Sequence, residues 1–185
     1  MNKPLLYFVT GISGSGKTTV ARKLNERGYT AFDSKINKGI FHFADSNGVA
    51  APDYRPNDSD WTHRYTWRLN QPMLKDLLSK NADKPFVFLC GRGDFKQHIG
   101  LADKIFLLKV SEQTMLTRLN SKERDNQFAK DDETQQKLLA TLNPVQKSWV
   151  RAGAVIIDAE QPIEQVVDDI LTLSTFTSVN DKIDV

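Results

Sequence analysis

The sequence predicts an α/β fold in which a parallel sheet is covered on both faces by helices. Five short apolar runs indicate strands, at residues 5–10, 29–32, 86–90, 105–110 and 154–157. Segments whose apolar residues recur with helical spacing lie between these runs. Continuous apolar strands that alternate with helices are typical of parallel sheets. The 185 residues suffice for a single domain over 1–174, and we expect the polar tail, 175–185, to be loose.

The helices are predicted from apolar residues that recur every three or four positions. Ser111 and one of Asp131 and Asp132 are good N-caps, and Pro162 suits a first helical turn. Pro72 should kink or interrupt the second helical segment. The segments with this spacing are 18–27, 61–79, 112–119, 132–142 and 162–171.

Composition excludes several classes of protein. A net charge of +2 gives the chain no general attraction for nucleic acids or membranes. The single cysteine, Cys90, cannot form an internal disulfide, so we expect it to pack in the core. The three histidines show no metal-ligand spacing. With neither a signal peptide nor an apolar run of about 20 residues, a cytoplasmic location without a membrane span is expected.

Residues 11–18, Gly-Ile-Ser-Gly-Ser-Gly-Lys-Thr, fill every fixed position of the phosphate-binding pattern G-x-x-x-x-G-K-[ST]. They follow a predicted strand and precede a predicted helix, where backbone N–H groups and the helix N-terminus can hold an anion. Lys17 can reach the β- and γ-phosphates, and Thr18 can offer its hydroxyl to Mg²⁺. The alternative is a glycine-rich turn that binds nothing. The predicted phosphate-binding residues are Gly11, Ser13, Gly14, Ser15, Gly16, Lys17, Thr18 and Thr19.

Asp33 ends the second predicted strand, at the sheet edge that the phosphate-binding loop shares. Its carboxylate can accept a proton from an acceptor hydroxyl or hold Mg²⁺ together with Thr18. The alternative is a helix N-cap. The third strand ends in Cys90, where many ATPases carry an acid, so Asp33 or Asp94 must supply the metal carboxylate, unless Thr18 and the phosphates suffice.

Several arginines are candidates for contacts with charged substrates. Arg118 and Arg124 bracket the start of the polar segment 120–130 and can stabilise a transferring phosphate or stack on a base; otherwise they are solvated cations at a helix end. Arg92 stands between two glycines, free to reach an anionic acceptor or simply exposed in a turn. Arg64 can bind an anionic group of the acceptor, or simply be exposed.

Two further positions are assigned more loosely. Trp67 can offer a surface for an acceptor ring, or pack in the core. Asp158 begins the loop after the fifth strand, which can hold adenine or simply connect strand and helix. A second polar segment, 47–60, is either a lid or a solvated surface loop.

On these residues the chain resembles the small P-loop kinases of the nucleoside-monophosphate, shikimate and gluconate kinase group, including ATP-binding AAA-like members. The resemblance implies a three-layer P-loop NTPase fold with strand order 2-3-1-4-5, an acceptor-binding insertion at about 34–80 and a short lid at about 120–131. It implies that Asp33 is the general base or metal carboxylate, and that Arg118 and Arg124 are the adenine-stacking and lid arginines. The positions that carry it are residues 11–18, 32–33, 89–91, 118, 124 and 157–159.

We therefore expect an ATP- and Mg²⁺-dependent phosphotransferase that acts on a nucleoside, a nucleotide or another small metabolite, as a monomer or homodimer. Lys17, Asp33, Arg118 and Arg124 are the predicted catalytic residues. Asp33, Arg64 and Arg92 are predicted to contact the acceptor, and Asp158 the nucleotide. Two alternatives are a polynucleotide 5′-hydroxyl kinase, which the nearly neutral charge disfavours, and a nucleotide-binding regulatory ATPase with a protein partner.

Overall fold

The computed structural model describes residues 3–53, 55, 58–92, 94–121, 129 and 131–175. Its seven strands are β1 (Leu5–Thr10), β2 (Ala31–Asp33), β3 (Phe41–Ala44), β4 (Thr66–Leu69), β5 (Phe86–Cys90), β6 (Lys104–Lys109) and β7 (Val155–Asp158). Five of them form a parallel sheet in the order β2-β5-β1-β6-β7. In the sequence order of these five strands this is 2-3-1-4-5, so the predicted sheet is confirmed.

Six helices accompany the strands in the part of the chain that the structure describes. The caps behave as the sequence predicts, because Ser111 accepts a hydrogen bond from the Thr114 N–H and Asp131 accepts one from the Thr134 N–H. A 3₁₀ segment covers Asp94–Leu101. The prediction that residues 175–185 are loose concerns, from position 176 onward, residues outside the described part of the chain. The helices are α1 (Lys17–Glu26), α2 (Ser59–Arg64), α3 (Gln71–Lys80), α4 (Glu112–Asn120), α5 (Asp132–Arg151) and α6 (Ile163–Thr175).

The prediction of one interrupted helix over 61–79 is wrong. Strand β4 separates α2 from α3 and pairs antiparallel with β3, placing Trp67 opposite Phe43. Trp67 follows Thr66, and aromatic and β-branched residues favour a strand when a partner strand is available. Asn70 then caps α3, accepting from the Met73 N–H, so Pro72 lies in the first turn, where it costs no hydrogen bond.

Alternate residues of the sheet enter two apolar cores. Val9 and Phe106 belong to the core on one face, with Leu24 from α1. Phe8 belongs to the core on the other face, where its ring stacks on Phe95 at a centroid distance of 3.8 Å. Helices therefore cover both faces, as predicted. No helix in the described part of the chain is both long and apolar enough to cross a membrane.

Candidate functional site

The phosphate-binding loop lies where β1 ends and α1 begins. Gly16 is the N-cap of α1 with φ of +98°, and no side chain caps the helix, so the N–H groups of its first turn remain available to a ligand. The loop lies very close to β6, since a Cβ on Gly11 would stand 2.8 Å from the Leu108 carbonyl oxygen. The uncapped helix end borders a cavity of about 570 Å³. This is the geometry of an anion site.

Lys17 is the first residue of α1 and turns back over the loop. Its Nζ donates to the carbonyl oxygens of Gly11 (2.7 Å) and Ile12 (2.8 Å). Desolvation, together with the nearby charges of Arg92 and Lys35, lowers the pKa of Lys17 to about 7 against the opposing effect of Asp33. The region around the Lys17 ammonium therefore carries an excess of positive charge that an anion would neutralise.

Asp33 and Thr18 are hydrogen-bonded to each other in the wall of this cavity. The Thr18 hydroxyl donates to Asp33 Oδ2 at 2.9 Å, and Asp33 is only 2% exposed. Its Oδ1 accepts from the N–H groups of Lys35 (2.7 Å) and Ile36 (3.1 Å), closing a turn rather than capping a helix. Hydroxyl and carboxylate oxygens are ligands that suit Mg²⁺. The described residues hold no cluster of three or more potential metal ligands from His, Cys, Asp and Glu, so such an ion would also need phosphate and water oxygens.

Cys90 occupies the end of β5 as a structural residue. It is fully buried, and burial raises the pKa of its thiol. Its carbonyl oxygen accepts from the Ser34 N–H at 2.9 Å, which fixes the start of the turn after Asp33. The side chain of Asp94, the other carboxylate considered from the sequence, lies outside the described part of the structure. Among the described carboxylates, Asp33 is the one that lines the cavity.

The opposite wall of the cavity combines a guanidinium with apolar side chains. Arg118 Nη2 donates to the Ala159 carbonyl oxygen at 2.7 Å, so the arginine bridges α4 and the loop after β7. Ile163 and Val166 continue this wall, with Gln161 beside them. A planar base can lie on such a surface, because a guanidinium stacks on aromatic rings.

The loop after β7 is held in place by two carboxylates. Glu160 accepts from the Ser111 N–H at 2.8 Å. Hydrogen bonding to the Ser111 side chain, then to the Ser111 N–H and to the Thr114 side chain, lowers the pKa of Glu160 to about 2. Asp158 accepts from the Glu160 N–H at 3.0 Å, so its carboxylate closes the turn. The cavity wall is formed by its neighbours Ala159 and Gln161 rather than by Asp158.

The predicted acceptor arginines lie in different places. Arg92 Nη1 donates to Ser13 Oγ at 3.3 Å, which links the end of β5 to the phosphate-binding loop, and desolvation lowers the pKa of Arg92. Arg64 lies over the ring of Tyr65, with its Cζ 5.3 Å from the ring centroid. Arg64 is absent from the walls of both cavities found among the described residues.

A second cavity of about 490 Å³ adjoins the first. The two share Ser34 and Lys35. Sequence reasoning noted Trp67 but missed Lys38 and Phe41, because nothing in the local pattern shows that the turn after β2 faces strand β4. The wall consists of Ser34, Lys35, Lys38, Gly39, Phe41 and Trp67.

The structure brings most of the predicted nucleotide residues to the first cavity. Gly11 and Ser13 belong to the loop but not to the wall of this cavity; Gly11 lies against β6 and Ser13 against Arg92. Arg124 and most of the predicted lid, 120–131, lie outside the described residues. Arg22 and Ile36 also line the cavity and were not predicted. The predicted residues on the wall are Gly14, Ser15, Gly16, Lys17, Thr18, Thr19, Asp33 and Arg118.

Comparison with known proteins identifies the fold. A family model described as an AAA domain matches residues 8–139. No curated protein matches the sequence significantly. Shikimate kinase from Acinetobacter baumannii, solved with shikimate, superposes with a TM-score of 0.59 at 20% identity, covering 96% of each chain.

Two other solved structures have the same fold. Deoxyadenosine kinase from M. mycoides, with dCMP and a flexible dCDP bound, gives a TM-score of 0.55 at 15% identity, covering 92% of this chain and 99% of that one. An unliganded sugar kinase from Janibacter sp. gives 0.52 at 18% identity, covering 93% and 95%. At these identities the likeness shows the fold alone. It confirms the resemblance to small P-loop kinases and their three-layer fold.

Proposed function

Because the chain belongs to the AAA domain family and has the fold of small P-loop kinases, we propose that it transfers the γ-phosphate of ATP to a small-molecule acceptor. The observation that carries this proposal is the meeting of three groups in one cavity. These are the uncapped N-terminus of α1, the Lys17 ammonium and the hydrogen-bonded pair of Thr18 and Asp33. Each complements a different part of a metal-bound triphosphate.

The cavity offers a place for each part of ATP. The triphosphate lies over the first turn of α1, where N–H groups and the helix dipole favour negative charge. The adenine lies on the wall formed by Arg118, Ile163 and Val166, with Ala159 and Gln161 at its edge. A volume of about 570 Å³ is within the range of small-molecule sites, roughly 300–1,000 Å³.

The chemistry of the transfer is mainly electrostatic. Negative charge spreads over the oxygens of the transferring phosphoryl group, so donors fixed around it lower the barrier. Lys17 is one such donor, and on binding it exchanges the carbonyls of Gly11 and Ile12 for phosphate oxygens. Arg118 already approaches the loop, with Nη1 3.8 Å from where a Cβ on Gly16 would stand.

Asp33 has a positioning role in this proposal. Its two oxygens already accept hydrogen bonds from Thr18, Lys35 and Ile36, which disfavours proton acceptance from an alcohol. Thr18 and Asp33 would hold Mg²⁺, which would supply positive charge to neutralise the phosphates when bound. The acceptor hydroxyl then needs mainly alignment, since phosphoryl transfer proceeds through a loose transition state.

A phosphotransfer screen tests the proposal. The purified chain is incubated with Mg²⁺ and γ-labelled ATP and with nucleosides, nucleotides, sugars, hydroxy acids or a 5′-hydroxyl oligonucleotide. We expect label on a small molecule, lost in Lys17→Ala and retained in Lys80→Ala, which changes an exposed lysine on α3. Label on the oligonucleotide alone would indicate a polynucleotide kinase. ATP binding without transfer to any acceptor would favour a regulatory ATPase and contradict the proposal.

A further inference from the structure

The loop after β7 contains a carboxylate that faces away from the nucleotide cavity. Ala159 and Gln161 line that cavity on the side assigned to adenine. Glu160 stands between them in the chain, but it is exposed and does not belong to the described wall. Its carboxylate reaches the start of α4 instead. Glu160 is therefore placed to shape the base side of the cavity without touching a ligand.

Hydrogen bonds join this loop to two neighbouring elements. The Ala159 N–H donates to the Lys109 carbonyl oxygen at 3.0 Å, which ties the loop to the end of β6. The Ala159 carbonyl oxygen accepts from Arg118 Nη2 at 2.7 Å, near the C-terminal end of α4. Glu160 Oε1 accepts from the Ser111 N–H at 2.8 Å, at the N-terminal end of the same helix. The loop thus contacts both ends of α4.

Helix α4 is itself packed against the phosphate-binding loop. A Cβ on Gly14 would stand 3.2 Å from the Met115 carbonyl oxygen and 3.5 Å from Cγ of Leu119. The side chains of Met115 and Leu119 are fully buried. Because α4 is held in this way, a residue that attaches the loop after β7 to α4 also fixes the position of the base wall relative to the phosphate site.

The two contacts with α4 lie far apart along the helix. Ser111 is the N-cap and Arg118 lies two residues before the last helical residue, Asn120, so about 10 Å of helix axis separates them. With the Arg118 contact alone, the loop could rotate about that hydrogen bond. The Glu160 contact prevents this rotation, and it is favourable because the N–H groups at a helix N-terminus lack helical partners and attract negative charge.

We propose that Glu160 is a positioning residue that aligns Ala159 and Gln161 for the base of the nucleotide by holding their loop on the N-terminal end of α4. This inference rests on the proposed phosphotransferase function and on the place that it gives to adenine. A loop that is already ordered costs less free energy to order when the base binds. Loss of the Glu160 contact should therefore weaken the contribution of the base and leave that of the phosphates unchanged.

Calorimetry with two ligands separates these contributions. MgATP and magnesium tripolyphosphate, which lacks the base and the sugar, are each titrated into the intact chain. The wild type should bind MgATP more tightly than tripolyphosphate. Glu160→Ala should weaken MgATP at least about fivefold and tripolyphosphate less than about twofold, because one charge-assisted hydrogen bond on the base side is lost. A variant that is only less stable would show no such difference between the ligands.

Matched variants connect the effect to the hydrogen bond. Glu160→Gln keeps an oxygen that accepts from the Ser111 N–H, so its MgATP affinity should lie closer to the wild type than to Glu160→Ala. Glu160→Asp keeps the charge but is one methylene shorter, so it should resemble Glu160→Ala. Glu112→Ala changes another exposed carboxylate, in the first turn of α4, and should alter neither ligand.

The outcomes distinguish this inference from the proposed function. Four results would overturn the inference and leave the phosphotransferase proposal intact. These are equal wild-type affinities for MgATP and tripolyphosphate, an unchanged MgATP affinity in Glu160→Ala, equal losses for both ligands, and a Glu160→Gln variant no better than Glu160→Ala. Failure of the wild type to bind either ligand would overturn both.

Discussion

Protonation of Lys17 should control nucleotide affinity in the neutral pH range. Desolvation, with Arg92 and Lys35 nearby, lowers the pKa of Lys17 to about 7 in the free protein. A triphosphate placed over the loop would stabilise the ammonium and raise that pKa. Linkage then requires that nucleotide affinity falls as pH rises above 7, because more of the free protein must first protonate Lys17 in order to bind the nucleotide tightly.

The size of the effect follows from this pKa. With a value of about 7, half of the Lys17 side chains are protonated at pH 7 and roughly 3% at pH 8.5. If the ammonium form alone binds well, affinity falls about 15-fold across this interval, and about one proton is taken up per nucleotide at pH 8.5. In the absence of nucleotide, folding stability depends on pH with the opposite sign to nucleotide affinity. The unfolded chain holds more protons on Lys17 between pH 7 and 10.5, so the contribution of Lys17 to stability rises with pH there.

Calorimetry measures both quantities. Binding of MgATP is titrated at pH 7 and pH 8.5, each in two buffers with different ionisation enthalpies, so that the number of protons taken up is obtained directly. Lys17→Met should bind weakly and with no proton uptake, whereas Lys80→Met should retain the wild-type pH dependence. An affinity that changes less than about twofold between the two pH values, without proton uptake, would refute the reasoning.

Three further substitutions test how the site is built. Thr18→Ala removes the hydroxyl that donates to buried Asp33, so turnover should fall. The free energy of unfolding, measured by urea denaturation, should fall by about 1–3 kcal/mol. Thr18→Ser should restore most of the turnover and most of the stability. Gly11→Ala places a Cβ 2.8 Å from the Leu108 carbonyl oxygen. The variant should therefore have a lower Tm than the wild type, and MgATP should not raise that Tm. A wild-type melting curve would contradict this close approach. Leu24→Ala empties a fully buried position between α1 and the sheet and should cost about 2–5 kcal/mol in the same urea experiment, with less than 1 kcal/mol excluding the packing described.

The sequence predicts the elements around the first cavity well, because they are built from local signals. The loop at residues 11–18 carries its own geometry in three glycines, and β1 and α1 are adjacent in the chain. Asp33 could be placed at the same edge because parallel strands all present their carboxyl ends there. The resulting contact of 2.9 Å between Thr18 and Asp33 follows from strand order, which the resemblance implies.

The second cavity depends on contacts between distant residues, which periodicity does not report. Trp67 lies in the segment 61–79, for which the sequence predicts a helix, but it belongs to β4, because β3 lies beside it as a partner strand. Lys38 and Phe41 become wall residues through the fold of the turn after Asp33. Arg64 was predicted as an anion contact from its position in the same segment, but its guanidinium lies over Tyr65.

Comparing MgATP with adenosine tests the main conclusion most directly, namely that the loop between β1 and α1 binds a triphosphate. Both ligands are titrated by calorimetry and in thermal melts of the intact chain. We predict saturable heat for one site per chain and a higher Tm with MgATP, little effect from adenosine, and loss of the MgATP effect in Lys17→Met. Equal effects of the two ligands, or no heat and no stabilisation with MgATP, would contradict the assignment.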